Sequence, residues 1–165
     1  MVLIALFLAC AGAQRSPAAL TEIPVHAGFA VEAPADTGDV RPGVERSMHS
    51  AGIRITSVHP APDPATHGTT GQRTEWLLEQ TQGDLGVLIE TNARKRANLG
   101  GRFQWDVSAT VVVVADHSPA LKQTTSMRIT LPHAHQGAAE ALAAASPRIG
   151  QRASEMVRQV QGSKP

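Results

Sequence analysis

The longest regular alternation of apolar and polar positions lies between Leu85 and Leu131. Leu85, Val87 and Ile89 alternate with Gly86, Leu88 and Glu90, and Phe103, Trp105, Val107, Ala109, Val111 and Val113 keep a strict period of two. That is the spacing of side chains on one face of a strand. The intervening ARKRANLGG is expected to be the basic turn of a hairpin. Val111 to Val114 is apolar at every position, which places the second strand inside a sheet. After the turn Asp116-His117-Ser118-Pro119, Leu121, Gln123, Thr125, Met127, Ile129 and Leu131 alternate with Lys122, Thr124, Ser126, Arg128 and Thr130. A third antiparallel strand follows, with Lys122 and Arg128 as the charges that stop a sheet edge from pairing with other chains.

Upstream, Ile23, Val25, Phe29 and Val31 predict a first strand, in which Gly28 points to a bulge. Val40, Val44, Met48 and Ala51 recur at helical steps, with Asp39 as N-cap, Pro42 in the first turn and Gly52 just past the end. Ile53, Ile55 and Val58 form a short strand, His59 to Gly71 is a Pro- and Gly-rich loop, and Gln72 to Gln82 is a second helix packing through Trp76 and Leu77. From Gln136 to Gln161 the apolar positions follow a helical period, and Pro147 predicts a kink or break after Ser146. The order is strand, helix, strand, helix, three-strand meander, long helix. It predicts an α/β single domain with a mixed sheet of about five strands ending in an antiparallel meander, and helices packed against it.

The amino-terminal residues stand apart. Val2 to Cys10 read VLIALFLAC, followed by Ala11-Gly12-Ala13, before the first charge at Arg15. This is a signal-peptide profile, so the chain divides into a leader over 1–13, a tether over 14–21, the domain over 22–161 and a polar tail over 162–165. A start assigned too far downstream would account for the missing Lys or Arg ahead of the apolar run. Two processing routes stay open, cleavage after Ala13 or cleavage before Cys10 with lipid attached to its thiol. The run is shorter than the roughly 20 residues of a membrane-spanning helix, and no other stretch approaches that length. The expected location is therefore the periplasm or the inner face of the outer membrane, with membrane contact only through a lipid anchor. Without Cys10 the domain has no thiol for a disulfide or a cysteine nucleophile.

Composition narrows the partners. At 165 residues the chain has room for one core rather than a two-domain enzyme. Lys+Arg 15 against Asp+Glu 14 gives no field able to recruit nucleic acid by counterion release, and an aromatic content of 3% leaves little for base stacking.

The segments VERSMHSAGIRIT, GDLGVLIE, ATVVVVADHSPALKQTTSMRIT and AAEALAAASPRIGQRASEMV, together with the exported leader, resemble a group of bacterial envelope domains. That group shares the fold of the TolB amino-terminal domain and includes the curli-secretion lipoprotein, the lipoprotein activator of penicillin-binding proteins and the flagellar assembly protein T. The resemblance spans roughly residues 22–160. It implies a binding or scaffolding module and carries over no catalytic residue.

Candidate chemistry in the sequence is sparse. No GxSxG, GxGxxG or GxxxxGK[ST] pattern occurs, and Asp63, Asp84, Asp106 and Asp116 show no paired spacing of the acid and base kind. His133 and His135 alternate so that both imidazoles can face one side and bind Zn or Cu, with His26, His49, His59, His67 or His117 as a distant third ligand. Arg94-Lys95-Arg96 is the one local charge run, open either to an anionic partner or to the solvent of a hairpin tip. The expectation is a noncatalytic exported module, without a cofactor, that meets an envelope protein partner through Arg94, Lys95, Arg96, Lys122 and Arg128. The alternative is a small periplasmic metal-binding or enzymatic protein using His133 and His135.

Overall fold

The computed structural model describes residues 22–31, 40–59, 68–131 and 137–163. Among these residues the chain forms β1 (Ile23–Val31), α1 (Arg41–Ser50), β2 (Ile53–His59), α2 (Thr70–Thr81), β3 (Gly86–Leu99), β4 (Arg102–Ala115), β5 (Ser118–Leu131) and α3 (Ala138–Gly162). The strands make one sheet in the order β2-β1-β3-β4-β5. β1 pairs parallel with β2 and β3, and the β3-β4-β5 meander is antiparallel. The molecule is thus the expected α/β domain with a mixed sheet and a long final helix.

The placement of the helices follows from the handedness of crossovers. The chain moves outward from β1 to β2 through α1, then back past β1 to β3 through α2. Right-handed connections running in opposite directions along a sheet put their helices on opposite faces. α1 and α3 accordingly share one face, where Val44, Met48, Leu142, Ile149, Ala153 and Met156 close over Val25, Ile53, Val87, Ile89, Val111 and Val113. On the other face α2 covers only a small patch, Leu77 over Leu88, Val112 and Val114. Both faces of β4 are therefore buried along Val111–Val114, the reason this run has no polar position.

Local chemistry fixes the element ends. Thr69 and Gln72 form a reciprocal capping box at the start of α2, so this helix begins at Thr70 and takes the last residues assigned by sequence to the loop. His59 belongs to β2, and residues 60–67 of that loop lie outside the described residues, as does Asp39; α1 begins after Val40, which makes no side-chain cap. The bulge expected at Gly28 occurs instead between β1 and β2, where the register shifts after Val25. Gly28 serves another purpose, because a Cβ there would come within 2.9 Å of the Trp76 ring.

Two turns are tighter than the sequence indicates. β3 runs to Leu99 and the hairpin closes on Gly100 and Gly101 alone, both at positive φ. Arg94-Lys95-Arg96 is therefore strand and not turn, with one extra residue accommodated between Lys95 and Ala97. The next hairpin likewise closes on two residues, Asp116 and His117, and Ser118 and Pro119 already belong to β5.

α3 runs through Pro147 without a break. Pro147 has no N–H for the Ala143 carbonyl, and the Ser146 hydroxyl donates to that carbonyl at 2.8 Å instead. Ser146 is buried, so Ser146→Ala is expected to lower stability by about 1 kcal/mol, read as a lower urea midpoint with an unchanged slope. An unchanged midpoint would show that the carbonyl has another partner.

Candidate functional site

The face of β3-β4-β5 that α2 leaves uncovered is polar in every row. Thr110 and Thr124 share a hydroxyl hydrogen bond at 2.9 Å, and Ser108 stands opposite Ser126. In the next row Asp106 stands between Arg94 on β3 and Arg128 on β5. Arg128 Nε lies 3.8 Å from one Asp106 oxygen and Arg96 Nη1 lies 3.4 Å from the other. One carboxylate is thus set between two guanidinium groups, with Arg94 opposite it in the strand register, beside a shallow depression of about 340 Å³ whose lining includes Asn92, Arg94, Asp106, Ser108 and Ser126. Lys122 faces the same side, opposite Val112. Lys95 does not: its Nζ sits 3.5 Å above the Phe103 ring, next to Trp105 in the strand register. Four of the five cations singled out by sequence share one sheet face, and pairing across strands brings Arg94, Arg96 and Arg128 together.

A second cluster lies at the other side of the sheet, on β1 and β2 beside α2. The extra residue in β2 is Thr56, whose hydroxyl donates to the Val25 carbonyl at 3.1 Å. This bulge sets Ser57 opposite His26 and keeps His59 in phase with both. Ser57 Oγ lies 2.6 Å from His26 Nδ1 and 3.1 Å from His59 Nε2, and the two ring nitrogens are 3.3 Å apart. The His26 and His59 rings are nearly parallel, at 17°, and His59 meets Trp76 edge to face. On its far side His26 Nε2 is 3.6 Å from Asp84 Oδ2.

Ser57, His26 and Asp84 follow the order of a serine, imidazole and carboxylate relay. The 3.6 Å separation is longer than a hydrogen bond, and Asp84 is 80% exposed, so water screens its charge. Ser57 sits within a strand rather than on a strand-to-helix turn. The cluster is better suited to holding a group than to attacking one.

Burial first, and then the neighbouring charge of His26, push the His59 pKa below its ordinary 6.5. An unfolded His59 takes up a proton near 6.5, while the folded one waits for a lower pH. Through that window the unfolded state binds more protons, so stability falls as the pH falls. Urea unfolding between about pH 7.5 and 5 should show this slope, and His59→Gln should flatten it; an equally steep slope in the variant would assign it to other groups.

Sequence placed His26 and His59 only as distant ligands. Sequence ended the second strand at Val58 and gave His59 to the loop, so neither the phase of His59 with Ser57 nor the parallel pairing and bulge that bring His26 alongside was read there. His49 is on the exposed side of α1, 3.8 Å from Glu22, and His117 stands against Gly83. Cys10, His133, His135 and His67 lie outside the described residues. Among the described residues no group of three or more His, Cys, Asp or Glu could hold a metal ion, and no helix is long and apolar enough to cross a membrane.

No protein-family model matches the chain, and no curated protein matches it in sequence. Solved structures similar to it include a single-substitution variant of the PelC dodecamer from Paraburkholderia phytofirmans, with a TM-score of 0.48 and 11% identity over 84% of this chain and 93% of that one. Lipoprotein GNA1162 from Neisseria meningitidis has a TM-score of 0.43 and 16% identity over 86% and 99% of the two chains. A minor lipoprotein from Acinetobacter baumannii has a TM-score of 0.40 and 11% identity over 83% and 94%. These likenesses do not single out the curli-secretion, penicillin-binding-protein activator or flagellar assembly groups, and the resemblance to them stays one of sequence pattern.

Proposed function

We propose that the chain is a noncatalytic exported envelope domain that binds an acidic segment of a protein partner on the open face of β3-β4-β5. The observation that carries this reading is the row Arg94, Asp106, Arg128, with Arg96 joining it. Arg96 and Arg128 beside one carboxylate, with Arg94 opposite it in the register, leave a local surplus of positive charge on a molecule whose net charge is only +1. Planar guanidinium forks suit a carboxylate-bearing ligand, and Asp106, beside two of them, offsets only one of the positive charges. The apolar run Val2–Cys10 supports export to the envelope, with or without lipid on Cys10.

The test is site-specific photocrosslinking in intact cells. A crosslinker at Ser126, in the polar face, should give a discrete adduct in the envelope fraction, and one at exposed Arg46 on α1 should not. The adduct should disappear in the Arg94→Glu, Arg128→Glu double variant. Equal adducts from both faces, or an adduct indifferent to the charge reversal, would overturn the reading.

A further inference from the structure

We propose that His26, Ser57 and His59 form the protein-supplied face of a site for a divalent late first-row metal ion of the zinc or copper type. The argument begins with the triangle of donors. Its sides are 2.6, 3.1 and 3.3 Å, so the point equidistant from the three atoms lies about 1.8 Å from each. An ion at ligand distances of about 2.0–2.2 Å therefore stands about 1 Å out of that plane, touching all three donors at once. The separation of the two imidazole nitrogens, 3.3 Å, is that of two ligands subtending a tetrahedral angle at such distances. Imidazole nitrogen suits zinc and copper, whereas magnesium and calcium prefer oxygen ligands.

The surroundings also fit an ion. His26 turns its other nitrogen toward the exposed Asp84 at 3.6 Å, beyond hydrogen-bond distance, so its ring is positioned by its place on β1 and by Ser57 rather than by an outer carboxylate. Trp76 packs edge-on against the His59 ring and limits its rotation. His26 is 25% exposed, which leaves an approach from solvent and room for water to complete the coordination. The Thr56 bulge, which sets Ser57 beside His26, is the kind of strand irregularity that re-aims side chains at functional sites. Ligation needs both imidazole nitrogens free of protons, so the ion replaces any proton they share, and binding releases protons to the buffer. This pair is separate in sequence from His133 and His135, so the two sites can be tested apart.

The experiment is calorimetric titration of the whole chain with zinc chloride and, separately, copper chloride. One equivalent should bind, and His26→Gln and His59→Gln should each weaken the affinity at least tenfold, while the His133→Gln, His135→Gln double variant keeps it. Copper on the wild-type protein should show coupling to two nitrogens by electron paramagnetic resonance. Should either single variant fail to fold, wild-type protein alone decides: substoichiometric copper should broaden the amide signals of residues 26–28 and 57–59 first. Broadening centred elsewhere, loss of binding in the His133→Gln, His135→Gln variant, or no uptake at about 0.1 mM metal would overturn the proposal.

Discussion

Glu90→Ala is expected to destabilise the fold by about 3–5 kcal/mol, the cost of removing one partner from a buried ion pair. Glu90 lies on β3 beneath the first turn of α2. One of its carboxylate oxygens meets Arg73 Nε at 2.5 Å, and the other accepts the Thr70 hydroxyl at 2.7 Å. The two charged side chains are only 7% and 5% exposed, so deleting the carboxylate leaves the Arg73 guanidinium in the interior without this counter-charge. The paired replacement Arg73→Met, Glu90→Leu should behave differently, because neither charge then has to be desolvated. It is expected to lie near wild-type stability or above it. Chemical denaturation of the three proteins checks this. A Glu90→Ala cost below about 1 kcal/mol, the range of exposed pairs, would mean that water reaches the pair and screens it.

Around this pair α2 rests on the sheet through only a small apolar patch. Its apolar cluster is Leu77 over three residues of the sheet, with Trp76 and Leu78 at the margin; Thr74 and Thr81 are also buried, and Arg73 and Thr70 meet the sheet at Glu90. The same economy leaves the remaining rows of β3, β4 and β5 open, and those rows hold the arginines proposed to meet a partner.

The fold was legible in the sequence where one periodicity ran uninterrupted. Leu121 to Leu131 shows a half-buried edge strand because only one face of β5 is packed, and Val111 to Val114 shows a central strand because both faces of β4 are. Features without a periodic signature were not legible. The basic run Arg94-Lys95-Arg96 resembles a turn in composition, yet it is strand, since Arg94 and Lys95 pair with Asp106 and Trp105 and only Gly100 and Gly101 adopt the positive φ of the turn. That single shift changes its meaning: a run of three cations on a solvated tip becomes two faces, with Lys95 on an aromatic ring and Arg94 in a cross-strand row. The histidine cluster was hidden for a related reason. His26 and Ser57 are 31 residues apart in the chain, and their meeting depends on a parallel register that includes a bulge, which no local pattern encodes. Pro147 was visible as a helix breaker, but its remedy, the preceding serine hydroxyl, becomes apparent only once the bond is seen.

Gly150→Leu is expected to be severely damaging to the contact between α1 and α3, at or above the upper end of the roughly 1–3 kcal/mol typical of overpacked sites. In α3, a Cβ at Gly150 would approach the Val44 carbonyl oxygen to 2.8 Å, Val44 Cα to 3.0 Å and Ser47 Cβ to 2.7 Å. Two of these three are backbone atoms of α1, which cannot swing aside as a side-chain tip can. The two helix backbones are brought this close by small residues, and Ser47 seals the crossing by donating its hydroxyl to the Pro147 carbonyl at 2.9 Å. Gly150→Ala sets two effects against each other. Helix propensity favours Ala over Gly by about 1 kcal/mol, while the clash forces α1 outward and loosens Val44 and Met48 from the core. The clash should win, and Gly150→Ala should be less stable than wild type. Gly71, in the first turn of α2, provides the control: the nearest atom to an added Cβ there is the Thr69 hydroxyl at 3.8 Å, an ordinary contact. Gly71→Ala should therefore raise stability by up to about 1 kcal/mol. Thermal and urea unfolding of the three variants should place them in the order Gly71→Ala, wild type, Gly150→Ala, Gly150→Leu. If Gly150→Ala gained stability as Gly71→Ala does, the crossing would have slack to absorb a methyl group, and the close approach of α1 to α3 would not be what requires glycine at this position.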